Sequence, residues 1–231
     1  MQQEPYSFEQ IIKALRRDAD AASGYIGYVR AVVDEEIVGS KLRGSVSGKA
    51  LAIATSAVKQ ALVLYCARSW EKAGRGAKAK PVISIPAAIE HLRDPAGILP
   101  DWESRNLGEP LGNFQESIDR RHPELLAEYD RLAADTTHGP FRILRTENYA
   151  HLALESSDRK RLEANGPLPG ATWNDLLRLS EETVRLVGQI GYFWDRSNNP
   201  YPDRIQDATR HCREFWRVLP VLEVAEDRSI D

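Results

Sequence analysis

Cysteine is scarce: the 231-residue chain holds two, Cys66 and Cys212, far apart and each inside an apolar stretch. That usage argues against a disulfide framework and suits a reducing cytosol, and no Cys/His cluster has the spacing of a zinc site. Long apolar runs are missing as well. The longest, near "ALVLYCA" at 61–67, falls well short of the ~20 residues a bilayer span needs. The first residues, "MQQEPYSFEQ", lack a basic region followed by an apolar run, so no signal peptide is expected. These absences lead to the expectation of a soluble, cytoplasmic protein without a membrane association. Positive charge is not in excess either, because 31 Lys and Arg face 34 Asp and Glu, a net charge of −3. A general positive field for coating nucleic acid is thereby excluded, but a site built from a few local arginines is not.

What is present is helical periodicity. With 42% hydrophobic residues the chain can bury a real core, and its length suits one domain over 1–231. Phe8, Ile11, Ile12, Leu15, Ala19 and Ala22 recur at three- and four-residue steps, predicting a helix from Ser7 to about Val38. Ser7 and Gln10 suit a capping box, and Gly24 is placed to kink or split the helix. A second helix is predicted from Ser47 to Lys72, with Leu51, Ala54, Val58, Leu62 and Tyr65 on one face. "SIPAAIEHL" at 84–92 reads as a short helix with Pro86 in its first turn, and 93–113 as a long connection.

Further helices are expected from Asn113 to Ala134, from Pro140 to Ser156, from Thr172 to Trp194 and from Pro202 to Leu219. In the third of these, Trp173, Leu176, Leu177, Val184, Val187 and Ile190 are read as facing inward. No convincing strand or repeat interrupts this pattern. The fold class is all-α, a bundle with short and long connections, organised as N-terminal helices (7–134), a helical hairpin (140–195) and a C-terminal helix (202–219).

One stretch stands out, "ILRTENYAHLALES" at 143–156. Spacing alone says little, since Arg131–His138 and Arg204–His211 satisfy a loose Arg-then-His search equally well. Helix geometry says more. Arg145 and His151 lie about 120° apart around a helix and about 9 Å along it, with Asn148 midway. Glu147, four residues before His151, can hydrogen-bond its ring, and Tyr149 sits one turn beyond Arg145. Such a polar diagonal on an apolar helix faces solvent, a partner or a substrate, or it serves intramolecular hydrogen bonds. A histidine and an arginine suit metal-free RNA cleavage, the first moving protons and the second holding a phosphate. One histidine per chain supplies one acid–base group, and two chains related by a two-fold axis would supply two.

This stretch, preceded by "YDRLAADTTHGPFRI" and followed by "TWNDLLRLSEETVRLVGQI", resembles the HEPN superfamily and, within it, the AbiU-type abortive-infection branch. Leu144, Arg145, Ala150 and His151 match that branch's motif, and the order of "LAIATSAVKQALVLYCARSWEK" and "VISIPAAIEHL" resembles its upstream part. The resemblance covers most of 7–195. It implies a HEPN-like up-and-down bundle, with extra N- and C-terminal helices, that dimerises so that two Arg–His helices face one cleft. It also implies a metal-independent endoribonuclease, without cofactor, that leaves 2′,3′-cyclic phosphate ends as a toxin or phage-defence effector, with RNA as substrate and an antitoxin as a further partner. Arg145 and His151 are then catalytic, with Thr146, Glu147, Asn148 and Tyr149 supporting them. Two departures stand out: Thr146 follows the arginine where the family often has Asn, Asp or His, and Ala153 replaces the tyrosine of members silenced by a nucleotidyltransferase.

Basic residues beside this helix, Arg142, Arg159, Lys160 and Arg161, are candidate RNA-phosphate contacts. Lys72, Arg75, Lys78 and Lys80 could touch RNA phosphates too, but a solvated loop is the favoured reading of those four. His91, His122, His138 and His211 are read as structural or surface residues. A non-catalytic module that binds a protein or nucleotide remains the competing expectation, and a plain structural bundle a third.

Overall fold

The computed structural model describes residues 6–34, 45–72, 81–93, 111–145, 172–195 and 200–218, with 111–118 as backbone alone. Among the described residues there are seven helices and no strand: α1 (Phe8–Asp34), α2 (Val46–Ser69), α3 (Ile85–Arg93), α4 (Leu111–Ala133), α5 (His138–Leu144), α6 (Trp173–Asp195) and α7 (Tyr201–Val218). The all-α class read from periodicity therefore holds.

Local chemistry starts these helices. The Ser7 amide donates to Gln10 Oε1 (2.9 Å) and the Gln10 amide to Ser7 Oγ (3.3 Å), the reciprocal capping box expected for α1. Thr172 and Asp175 do the same for α6, their amides each donating to the other's side-chain oxygen at 2.9 and 3.2 Å. Ser45 caps α2 by accepting from the Gly48 amide. Gly24 does not split α1, which runs through it as one helix. A single glycine costs a helix about 1 kcal/mol, which the buried face of α1 outweighs.

That face, Phe8, Ile11, Ile12, Leu15, Ala19, Ala22, Ile26 and Val29, is buried throughout and packs against α7, α6 and α2. From α6 come Leu176, Val184, Val187 and Ile190, as periodicity predicts, together with Leu179; the predicted Leu177 is only partly buried. Trp173 is a correction: it is 46% exposed, with the Lys59 ammonium 3.4 Å from its ring centroid. It sits on the first turn of α6, before the helix enters the core. Phe215 of α7 is likewise exposed.

The α2 helix also departs from the reading of apolar runs. Over its 24 residues its most apolar window reaches a mean hydropathy of 1.5, so by length and composition alone it could cross a membrane. Its first half mixes alanine, glycine, serine and threonine, which a search for continuous apolar runs passes over. Leu62, Val63, Tyr65, Cys66 and Ala67 in its second half belong to the protein core. Burial pushes the Cys66 thiol up to about 12, and the thiol lies 3.2 Å from Ser180 Oγ of α6.

Helices α1 and α7 cross where side chains are smallest. A Cβ on Gly27 would lie 2.5 Å from Ala208 Cβ and 2.8 Å from the Thr209 amide nitrogen. Gly27→Ala must push the helices apart, which predicts a loss of about 1–3 kcal/mol and a melting temperature lower by roughly 3–10 °C. Gly24→Ala, with nothing within 4 Å of the added carbon, is the control and should not destabilise. Equal melting temperatures for the two variants would refute this account of the crossing.

Candidate functional site

Helix α5 carries the described part of the candidate site. It follows a turn in which Asp135 Oδ1 accepts from the Thr137 amide (2.9 Å) and hydroxyl (2.6 Å), while Arg178 of α6 donates to Asp135 Oδ2 (2.8 Å). The helix starts at His138, two residues before the predicted Pro140. Proline is tolerated there because amides in a helix's first turn have no intrahelical partner to lose. Arg145 keeps helical angles (φ −58°, ψ −50°). His138, Arg142 and Arg145 are four and three residues apart, so they share one face over about 10 Å.

That face lines a cleft of about 510 Å³ whose opposite wall is the end of α2, with Trp70, Glu71 and Lys72, and whose floor includes Tyr129 of α4. Trp70 packs parallel to Tyr129 (5.8 Å between centroids, 15° between planes) and tilted against His138 (4.6 Å, 48°). Its indole N–H donates to Thr183 Oγ1 of α6 at 3.0 Å.

Arg145, the residue singled out from sequence, is partly buried and donates to Glu71 Oε2 at 3.0 Å. Half-exposed ion pairs of this kind are worth about 1 kcal/mol or less, so an anion with better geometry can displace Glu71. Lys72, Arg142 and Arg145 give the cleft three cations against one carboxylate. The fold thus brings together Arg145, Arg142 and Lys72, of which Lys72 was read in the first place as part of a solvated loop. His151, Thr146, Glu147, Asn148, Tyr149, Arg159, Lys160 and Arg161 lie outside the described residues, as do Arg75, Lys78 and Lys80.

Sequence reasoning did not place Glu71 at this cleft, and it read His138, which also lines it, as structural or surface. The signal for His138 was available in its seven-residue register with Arg145 on one helix face. Its Nε2 lies 2.7 Å from the Leu132 carbonyl oxygen, which can only accept, so Nε2 carries the hydrogen. Burial lowers the His138 pKa, outweighing the Leu132 carbonyl and Asp135, which raise it. His122 makes the corresponding bond to the Leu92 carbonyl at 2.7 Å, the structural role expected of it.

A second cavity, an open groove of about 890 Å³ along α7, mixes arginines such as Arg210 and Arg213 with Asp203, Asp207 and Glu214. Its charges nearly balance, and it holds none of the residues predicted from sequence.

The all-helical fold and an arginine-bearing helix on a cleft are features of a HEPN-class protein. The family model described as AbiU2, a HEPN family, matches residues 6–215. The chain belongs to the AbiU2 family of HEPN proteins, in agreement with the resemblance read from "ILRTENYAHLALES" and its flanks. No curated protein and no solved structure matches it.

Because the folded state holds His138 neutral, its stabilising contribution is full above the ordinary value of 6.5 and is lost as pH falls through the lower native value. Wild-type stability should therefore drop more steeply between pH 7 and 5 than that of His138→Gln, measured by urea unfolding. Parallel curves would contradict a depressed native pKa.

Proposed function

We propose that this AbiU2-family chain is a metal-independent endoribonuclease of HEPN type, with the Arg145 cleft as the described half of its site. The observation that carries the reading is Arg145 itself, a partly buried guanidinium on a cleft that also holds Arg142, Lys72 and His138. A guanidinium suits a scissile phosphate because it forms two parallel hydrogen bonds and neutralises charge as it develops on the oxygens. In this reading Arg145 leaves Glu71 for the phosphate, and Arg142 and Lys72 hold flanking phosphates. Arg159, Lys160 and Arg161 supply further contacts. His151 moves the protons, and a two-fold dimer brings a second Arg145–His151 pair to the same cleft. The products are a 2′,3′-cyclic phosphate and a free 5′ hydroxyl. A protein covering the cleft would act as antitoxin in a cytoplasmic toxin or phage-defence setting.

The test is cleavage of RNA in excess EDTA, with end groups mapped. Arg145→Ala and His151→Ala should each lower the rate by at least about a hundredfold. Cleavage that persists in both variants, or that never appears in the wild type, rules the reading out.

Glu71→Gln isolates the competition for Arg145. It removes a negative charge beside the guanidinium while keeping the side chain's shape. Affinity for a non-cleavable 2′-O-methyl RNA should rise about three- to fivefold, read by fluorescence anisotropy. Weaker binding would mean that Glu71 holds Arg145 in its working position rather than competing for it.

One observation favours a second reading, in which the chain binds a protein or nucleotide without cleaving RNA: Arg145 already has a carboxylate partner within the chain. That reading predicts that Arg145→Ala alters complex formation while no turnover is detected in any preparation.

A further inference from the structure

We propose that His138 is a second proton-transfer group of the Arg145 cleft, taking the proton of the attacking ribose 2′ hydroxyl on Nδ1. The inference rests on the RNA-cleaving reading and deepens it. Four observations carry it. His138 shares a helix face with Arg142 and Arg145, one and two turns away, and all three line the same cleft. The ring is fixed on two sides, by its tilted contact with Trp70 and by the bond from Nε2 to the Leu132 carbonyl. That bond settles the tautomer: Nε2 holds the hydrogen and Nδ1 is the nitrogen with a free lone pair. Among the described residues, no hydrogen bond occupies Nδ1.

The charges facing the ring come from every element around it. Asp135 in the turn before α5 favours protonation, whereas Arg178 of α6 and Lys72 beyond α2 oppose it. Arg142 and Arg145 on the same helix face add positive charge, and Glu71 offsets part of it through Arg145. Together with burial, this surrounds the imidazole with conditions for a neutral base at pH 7, the state a general base needs.

In the step itself, the 2′-OH proton passes to His138 Nδ1 as the O2′–phosphorus bond forms. The phosphorus–O5′ bond breaks, and the departing 5′ oxygen takes a proton from solvent water. Atoms and charge balance without a metal or cofactor. Each protomer then brings a base of its own on α5.

The experiment uses His138→Gln in the full chain, because a glutamine amide can still donate to the Leu132 carbonyl but cannot titrate. Single-turnover cleavage of one RNA is followed from pH 5 to 9 for wild type, His138→Gln and Arg145→Ala. The expected result is a His138→Gln rate lower by about ten- to a hundredfold near neutral pH, with the rising acidic limb of the profile lost. Affinity for 2′-O-methyl RNA should be nearly unchanged. A His138→Gln enzyme with wild-type rate and pH profile overturns the proposal while Arg145→Ala, if inactive, leaves the RNA-cleaving reading standing. A wild type that never cleaves overturns both. Should the variant fail to fold, nitrogen NMR of the wild-type histidines decides. The His138 Nδ1 resonance must respond to bound RNA that keeps the 2′ hydroxyl but carries a methylene in place of the 5′ bridging oxygen, and an indifferent resonance sinks the idea.

Discussion

Trp70 has one polar atom, and the position of its ring obliges that atom to find a partner inside the protein. The indole N–H meets Thr183 Oγ1, whose own hydroxyl hydrogen goes to the Leu179 carbonyl at 2.6 Å, so the donor chain ends on the α6 backbone. An unmet N–H there would cost about 1–3 kcal/mol, comparable with the whole burial of a leucine. Once the bond is made, the end of α2 is tied to the middle of α6 and the ring becomes a wall for Tyr129 and His138. The two residues after it in the chain, Glu71 and Lys72, then have little choice but to border α5. The cleft is a consequence of where one tryptophan donates its hydrogen bond.

Burial and ion pairs divide the remaining work. A buried leucine or isoleucine is worth about 1.5–3 kcal/mol, and the core holds many; an exposed ion pair rarely exceeds about 1. The core therefore decides that the helices associate, and polar contacts decide their register. Arg16 shows this: its Nη2 donates to the Gly191 carbonyl and to Asp195 Oδ1, both at 2.7 Å, so α1 meets the last turns of α6 at one height only. Arg178 does the same for the turn before α5, linking Asp135 to α6. Burial opposes the charge on Asp135, but the bonds from Arg178 and Thr137 hold its carboxyl well below the usual range. The turn that presents His138 is thus braced by an ionised carboxylate.

Much of this was legible in the sequence, and the part that was not has a physical reason. Helical periodicity and capping boxes are local, so the α1, α6 and α7 helices and the Ser7 and Thr172 caps could be read from neighbouring residues. The split expected at Gly24 does not occur because local propensity is small beside a buried face. Trp173 misled because hydrophobic size does not say where a helix enters the core. Arg145 was legible through its motif, but Glu71 was not, since the pair joins residues 74 apart in the chain. Lys72 and His138 entered the site the same way, through packing of α2 against α5 that no spacing encodes.

The net charge of −3 looks unfavourable for an anion site, yet the relevant field is local. At physiological ionic strength, charges beyond about 8 Å are largely screened, so the cleft experiences Lys72, Arg142, Arg145 and Glu71 rather than the chain total. Several carboxylates elsewhere among the described residues are engaged in ion pairs, such as Glu128 with Arg131 and Arg185, which cancel within their own neighbourhoods. Glu71 is the exception, a carboxylate placed against the cleft's own arginine. It holds Arg145 partly buried at the cleft, at the cost of some affinity for an anion. An arginine held in this way needs no rearrangement of its backbone to change partners, only a competing anion whose oxygens lie where the carboxylate's do.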